Sequence, residues 1–319
     1  MAAQIDLKAI DRVEILTLQD NYIDLLAQDS NEVVQRAMPL KGDEIKNSLL
    51  AEHGLSILIT INQADAARTL LFDFGFSEHG AAFNAEALDV DLTIVEALAL
   101  SHGHLDHMGG MKKLVEKIGK STIPLVLHPQ VFRNPRFLKA RNGVKAYFPP
   151  FTMEDIEASG VTPVETTQPY PMLDGAAIFL GQIPRVTAFE QGAPNLFYEE
   201  EGIEKQDLIE DDTAVVFNLK DKGLVIISGC AHSGIVNTVT HAIDVTGIER
   251  VWAIMGGFHL SGADVDSVIQ PTVDALKQLN PRYIIPTHCT GRQAVMEIEK
   301  QMPECFIMNM AGTKLTFAA

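Results

Sequence analysis

Residues 101–107 read Ser-His-Gly-His-Leu-Asp-His, which places His102, His104, Asp106 and His107 within six consecutive positions of a chain with ten histidines in 319 residues. Imidazole nitrogen and carboxylate oxygen are the donors that a borderline divalent metal prefers. Protonated imidazoles this close repel one another, and a cation bound to the neutral rings removes that cost. A solvated polar loop is the ordinary reading of any one of these residues alone. Four potential ligands at this spacing favour a metal-binding loop.

The flanks say what carries the loop. Residues 92–100 are apolar and partly β-branched, and predict a buried strand running into the motif. Met111, Leu114, Val115 and Ile118 recur at helical spacing, which predicts a helix starting near Gly109. In an extended segment the side chains at i and i+2 point the same way. His102 and His104 can therefore share one metal, and Asp106 and His107, at the helix start, can serve a second.

One loop cannot enclose two metals, so other segments must contribute. Three further apolar runs end in Gly or Pro followed by His: 223–234 with Cys230 and His232, 251–260 with His259, and 282–291 with His288. In open α/β architectures, sites gather outside the carboxyl ends of the strands. Ligation is expected for His232 and His288. His259 is expected at the metal, behind a ligand, or facing substrate. Asp73 interrupts another apolar run, 69–75. A buried Asp needs a partner, and the far N–H of a ligand histidine would supply one; the alternative is a cap on the turn at Gly75.

Several strings narrow the reading: Ala51-Glu-His-Gly-Leu-Ser56, Leu71-Phe-Asp-Phe-Gly75, Asp211-Asp-Thr-Ala-Val-Val-Phe217, Ser228-Gly-Cys-Ala-His-Ser-Gly234, Gly256-Gly-Phe-His-Leu260 and Pro286-Thr-His-Cys-Thr-Gly291. With the His-x-His-x-Asp-His motif they resemble the metallo-β-lactamase superfamily over nearly the whole chain. Within it they resemble the dihydropteroate-synthase-like branch, named for a methanopterin-pathway synthase, whose other members are called metal-dependent hydrolases. The resemblance implies an α/β (α+β) fold, an αββα four-layer sandwich with a binuclear site at one edge. It implies His102 and His104 on a first metal, and Asp106, His107 and His288 on a second. One or two divalent ions are expected, zinc foremost, with iron or manganese suiting the same ligands.

The chain departs from the common superfamily pattern at the first site. No histidine lies between His128 and His232, and Cys230 stands where the bridging carboxylate is usual. Either His232 completes the site, with Cys230 bridging or beside the metals, or Asp212 does; imidazole chemistry favours His232. Asp73 and Asp212 are otherwise expected behind the ligands. Asp106 is a candidate proton acceptor and His259 a candidate transition-state contact. The turn 230–234 opens a helix, so the amides of Ser233 and Gly234 are expected to hold a phosphate or carboxylate. Glu52 and His53, in a Glu-His-Gly turn before a strand, are candidates for substrate contact.

Composition sets further bounds. A net charge of −17 argues against a nucleic-acid binder. The mildly basic stretch 133–141, with Lys145 after it, is read as an exposed helix or loop face, the alternative being a gate for an anionic substrate. No apolar run is long enough for a membrane span, and no signal peptide is visible at the start. Three cysteines do not form a disulfide framework, so a cytoplasmic location is expected. The chain is expected to be a single domain of two similar halves, about 1–165 and 166–319, joined through residues 158–174. Helices are expected after Ser233, over about 264–279 with Pro271 near the middle, and over about 292–302. Residues 187–211 are expected to be an irregular lid or surface loop.

The reading that follows is a metal-dependent hydrolase in which metal-bound hydroxide attacks an ester or phosphoester bond of a small anionic substrate. The alternatives are a transferase that condenses a dihydropterin with an arylamine phosphate, and a non-catalytic protein that binds a pterin-like ligand. No nucleic-acid or membrane partner is expected, and a homo-oligomer is allowed.

Overall fold

Apolar and β-branched runs build thirteen strands of the two main sheets. They are β1 Arg12–Gln19, β2 Ser56–Gln63, β3 Ala66–Phe72, β4 Ala97–Ala99, β5 Pro124–Leu127, β6 Thr162–Glu165, β7 Tyr170–Met172, β8 Ala177–Phe179, β9 Ala214–Leu219, β10 Gly223–Ser228, β11 Val251–Gly257, β12 Tyr283–Thr287 and β13 Lys314–Ala318. The structure, a computed structural model, describes residues 4–45, 48–64, 66–262 and 265–319. The first sheet has the order β6-β5-β4-β3-β2-β1-β13, with the short strand Val34–Gln35 beyond β13. The second has the order β7-β8-β9-β10-β11-β12, with Ala9–Ile10 paired to β9.

Each sheet contains the same local design. An antiparallel pair, β2/β3 or β9/β10, leads into two parallel neighbours, β4 and β5 or β11 and β12. Residues 166–169 carry the chain from the edge strand of the first sheet to the edge strand of the second.

The two sheets face each other across an apolar core. Ile15, Ile57, Leu70 and Phe72 from the first meet Phe179, Val215, Phe217 and Ile227 from the second. Two further apolar layers lie outside. The helices Gly80–Ala87 (α1), Met111–Ile118 (α3) and Met153–Ser159 (α4) cover the first sheet through Ala81, Leu114 and Ile156. Ile235–Thr246 (α5), Asp266–Leu279 (α6) and Arg292–Gln301 (α7) cover the second through Val239, Val273 and Ile298. Leu105–Met108 (α2) is the single turn inside the histidine motif. The result is the αββα sandwich.

Three local expectations are corrected, at 92–94, 133–141 and 187–211. Residues 92–94 form a 3-10 turn, because Asp91 caps it by accepting from the Thr93 amide at 2.9 Å, and the strand is confined to Ala97–Ala99. The helix expected near Gly109 is α3, which starts at Met111 on Gly110 with Met111, Leu114, Val115 and Ile118 buried, and the separate turn α2 precedes it. The 133–141 stretch is strand in part, with Arg136 and Phe137 buried rather than on an exposed face. The 187–211 segment is not irregular throughout. Leu196–Glu200 and Ile203–Gln206 pair as a hairpin across Glu201-Gly202, both at positive φ (52° and 78°). That turn matches the twist of antiparallel strands. With Arg136–Lys139 and Lys145–Tyr147 the hairpin completes a four-stranded antiparallel sheet. Helix α6 carries Pro271 without ending there; position 264, the expected start, lies outside the described residues.

Phe217 is fully buried between the sheets. Phe217→Ala is expected to lower unfolding stability by about 3–5 kcal/mol, read from the urea midpoint at unchanged m-value.

Candidate metal centre

The carboxyl ends of the strands place the donors. β3 runs into Asp73, β4 into Ser101 and His102, β10 into Cys230 and His232, β11 into His259 and β12 into His288. At Asp73, Ala231, His259 and His288 the backbone is left-handed, with φ of 59°, 51°, 45° and 46°. Such a conformation costs about 1–3 kcal/mol per residue and persists where the surroundings impose it. Close approach fixes two glycines. A Cβ at Gly229 would overlap the Ser101 hydroxyl, and one at Gly103 would overlap the Val131 carbonyl.

Outer hydrogen bonds decide which ring nitrogens carry protons. The Asp73 carboxylate only accepts, so His107 donates to it from Nδ1 at 2.6 Å. The Ser101 hydroxyl also donates to Asp73, at 2.7 Å, and is left to accept from His102 Nδ1 at 3.0 Å. His288 Nδ1 donates to Asn21 Oδ1 at 3.1 Å. In each of these three rings the neutral form therefore keeps its lone pair on Nε2, and all three Nε2 atoms face inward.

The inward atoms form two groups. His107 Nε2 lies 3.2 Å from His288 Nε2 and 3.1 Å from Cys230 Sγ, and His288 Nε2 lies 3.1 Å from Asp106 Oδ2. Asp106, His107, Cys230 and His288 thus present one donor atom each within a single coordination sphere's reach. In the second group, His102 Nε2 lies 3.0 Å from His104 Nδ1, and the His232 ring packs 4.8 Å from His102. His104 Nε2 and both nitrogens of His232 are buried with no protein partner. Cys230, His259 and Cys289 form a third, adjoining set.

These donors fit a divalent cation. His107 Nε2 and His288 Nε2, 3.2 Å apart, both turn a lone pair to the gap when neutral, and they repel unless a proton or a metal cation lies between them. Orphaned buried imidazole nitrogens cost free energy that a metal bond recovers. Electrostatics agree. Burial holds His102 and His232 well below the usual imidazole range and His104 at about 4, so these rings are neutral at pH 7. Burial also acts against charge on His107, but the carboxylates of Asp73 and Asp106 overcome it and raise the ring to about 9. Partial burial acts against charge on Asp106, yet His107 and His288 hold it well below the usual carboxylate range. This half of the site is built to stabilise positive charge.

The sequence-derived candidates sort as follows. His102, His104 and His232 come together, as do Asp106, His107, His288 and Cys230. Asp73 lies behind His107 and does not cap Gly75, whose amide bonds the Leu55 carbonyl. His53 faces the centre, with Nε2 3.4 Å from Asp106. His259 stacks on His232 with ring centroids 4.0 Å apart. Asp212 lies behind the ligand turn, as the reading that favoured His232 had it, whereas Ser233, Gly234 and Glu52 are corrected. Asp212 does not join either imidazole group; it accepts from the Ser233 amide at 2.9 Å, and burial raises its carboxyl to about 6. Ser233 and Gly234 do not offer free amides, because Asp212 takes the first and the Ala231 carbonyl the second. In the first turn of α5 the Val236 and Asn237 amides are taken by Glu190 at 2.9 and 2.8 Å. Glu52 turns from the pocket to Gln19 and Ser77.

Residues that sequence reasoning missed surround this centre. Asp20 accepts from the His288 amide at 2.9 Å and, with Asn21, fixes the 287–290 turn. Cys289 joins Cys230 and His259; its place next to His288 was the available signal. Asp211 accepts from the Gly103 amide, between His102 and His104, at 2.8 Å and from both terminal nitrogens of buried Arg136. Arg136 belongs to the four-stranded sheet, so this pair clamps that sheet to the histidine loop.

A sequence model described as the metallo-beta-lactamase superfamily matches residues 51–288. A curated relative, the 7,8-dihydropterin-6-methyl-4-(beta-D-ribofuranosyl)-aminobenzene-5'-phosphate synthase of Methanocaldococcus jannaschii, is 33% identical over 84% of this chain and 90% of that protein. Among solved structures, Tm1679, described as a metal-dependent hydrolase of the beta-lactamase superfamily, has a TM-score of 0.71 at 25% identity and covers 96% of this chain and 100% of its own. The fold is shared by YhfI of Bacillus subtilis, with a TM-score of 0.51 at 12% identity over 96% of this chain and 100% of that one.

Asp211→Asn leaves buried Arg136 with Asp207 as its remaining carboxylate partner. A loss of about 3 kcal/mol in unfolding stability is expected, against less than about 1 kcal/mol for Asp174→Asn at the exposed pair with Arg68, both read by chemical denaturation.

Proposed function

The chain belongs to the metallo-beta-lactamase superfamily, and from that premise we propose that it is a metal-dependent hydrolase acting on an ester or phosphoester bond of a small substrate. The observation that carries this reading is the pair of inward-facing donor groups bordering a cavity, the first with orphaned nitrogens on His104 and His232. His102, His104 and His232 would hold one cation; Asp106, His107, His288 and Cys230 would hold another. A divalent cation, zinc first among the candidates for a set of imidazoles with a thiol, supplies Lewis acidity that makes water nucleophilic near neutral pH and stabilises charge on a leaving oxygen.

The chain's own residues supply the rest. Asp73 and Ser101 hold His107 and His102 in the tautomers that aim Nε2 inward. Asn21 does the same for His288. Asp106 places a carboxylate oxygen at the cavity, 3.4 Å from His53 Nε2, where it can accept a hydrogen bond from water and orient it toward the exposed imidazole. His259, against His232 and lining the cavity, is placed to donate a hydrogen bond to a reacting group.

A second reading is a transferase that joins a dihydropterin to an arylamine phosphate. It is favoured by the name of the Methanocaldococcus relative, which this chain matches over most of both lengths. Cys230, Cys289 and Cys305 are free thiols, an arrangement that suits a reducing compartment. Among the described residues no helix is long and apolar enough to cross a membrane.

Turnover of p-nitrophenyl esters or bis(p-nitrophenyl) phosphate is expected to vanish with a chelator and return with added Zn2+ or Mn2+; turnover that survives full chelation contradicts the hydrolase reading. Condensation of a dihydropterin pyrophosphate with an arylamine, without hydrolysis of any ester, would select the transferase. Asp73→Asn is expected to weaken metal binding about 10–100-fold, measured by competition with a chromophoric chelator. Added Zn2+ is expected to raise the Tm of the stripped wild-type chain, and His107→Ala to reduce that rise, since one of the two donor groups loses a member.

A further inference from the structure

The cavity above the imidazole cluster has a volume of about 520 Å3, the size of a small-molecule site, roughly 300–1,000 Å3. Its walls are chiefly apolar and aromatic, with Phe76, Tyr147, Phe148, Phe189, Leu196 and Phe258 among them. The Phe148 ring packs on His104 with centroids 4.8 Å apart, so the aromatic wall is continuous with the donor cluster. A substrate that reacts at the cluster must lay its remaining part against that wall.

Charge is arranged to match. No Lys or Arg lines the cavity among the described residues; its charged carboxyl side chains are Asp106 and Glu190. The cations that surround it are taken. Arg133 pairs with Asp207 and Glu210 at 3.1 and 3.0 Å, Arg136 with Asp207 and Asp211, and Lys145 with Glu204. Arg185 donates to the carbonyls of Leu208 and His232. Two of the α5 amides that could have held an anion, Val236 and Asn237, are filled by Glu190. A polyanion would therefore bring charges that nothing beyond the cluster neutralises, into a space with two carboxylates and low polarity.

We propose that the substrate presents a neutral apolar or aryl group to this cavity and brings a single polar, reacting group to the histidine cluster, so that compact polyanions are rejected. This specificity rests on the hydrolase reading for the reaction but on the cavity alone for binding.

The test is binding and turnover by the full chain as purified. Binding of linear carboxylates from propanoate to hexanoate is followed by titration calorimetry, with 3-phosphoglycerate as the compact polyanion. Affinity is expected to rise about fourfold per methylene, the equivalent of about 0.8 kcal/mol, and 3-phosphoglycerate to bind no tighter than propanoate. Phe148→Ala is expected to flatten the series; Tyr147→Ala, at a more exposed position, supplies the same readout if the first variant does not fold. A series flat in chain length, or 3-phosphoglycerate binding tighter than hexanoate, overturns the proposal. The p-nitrophenyl esters of the same acids separate the two claims. Absence of metal-dependent hydrolysis at every length, with the binding series intact, overturns the hydrolase reading and supports the specificity. Hydrolysis with a kcat/KM that does not depend on length does the opposite.

Discussion

Lone pairs brought face to face in a buried space require a positive charge between them, and that requirement organises this molecule. His107, His288 and His102 each use Nδ1 to satisfy an outer acceptor, Asp73, Asn21 or Ser101, and so commit Nε2 to the interior. Asp106 and Cys230 add an oxygen and a sulfur to the same space. Two sheets must meet for this to happen: Asp73, His102 and His107 follow strands of the first, and Cys230, His232, His259 and His288 follow strands of the second. The core between the sheets fixes their mutual orientation, and the left-handed residues at four strand ends turn the side chains to the common edge. Strain at those turns is held by the packing behind them.

Much of this was legible in the sequence, because strand ends and ligand spacing are local properties. The motif at 101–107, the strand-end histidines at 232 and 288, and Asp73 each follow an apolar run that the chain itself delimits. What sequence could not supply is long-range pairing. Nothing around Asp211 announces that Arg136 reaches it, and nothing around Glu190 announces that it fills the start of α5 before a ligand can. The same limit explains the amides at Ser233 and Gly234: a helix start looks like an anion site until its internal acceptors, Asp212 and Glu190, are known. The hairpin at 196–206 escaped because its strands are largely exposed and lack the apolar alternation of a core strand.

The cavity and the cluster divide the work of recognition. The cluster concentrates donor atoms and positive-charge stabilisation in one corner, where His107 is held at about 9 by the two carboxylates despite its burial. The rest of the cavity offers aromatic surface and internally paired charges. A site divided in this way orients a substrate by its apolar part and reacts at its polar end. The clamp from Arg136 through Asp211 to the Gly103 amide ties the sheet carrying Tyr147, next to Phe148, to the loop carrying His102 and His104, so wall and cluster keep a fixed distance.

Equilibrium binding of Zn2+ to the chelator-stripped chain, followed by competition with a chromophoric chelator, tests the central claim most directly. Saturable uptake that falls in His102→Ala, falls in His107→Ala and is abolished when both are changed is the expected result, since the two substitutions remove one donor from each group. A stripped chain that stays folded and takes up no divalent cation above the level of the double variant would contradict it.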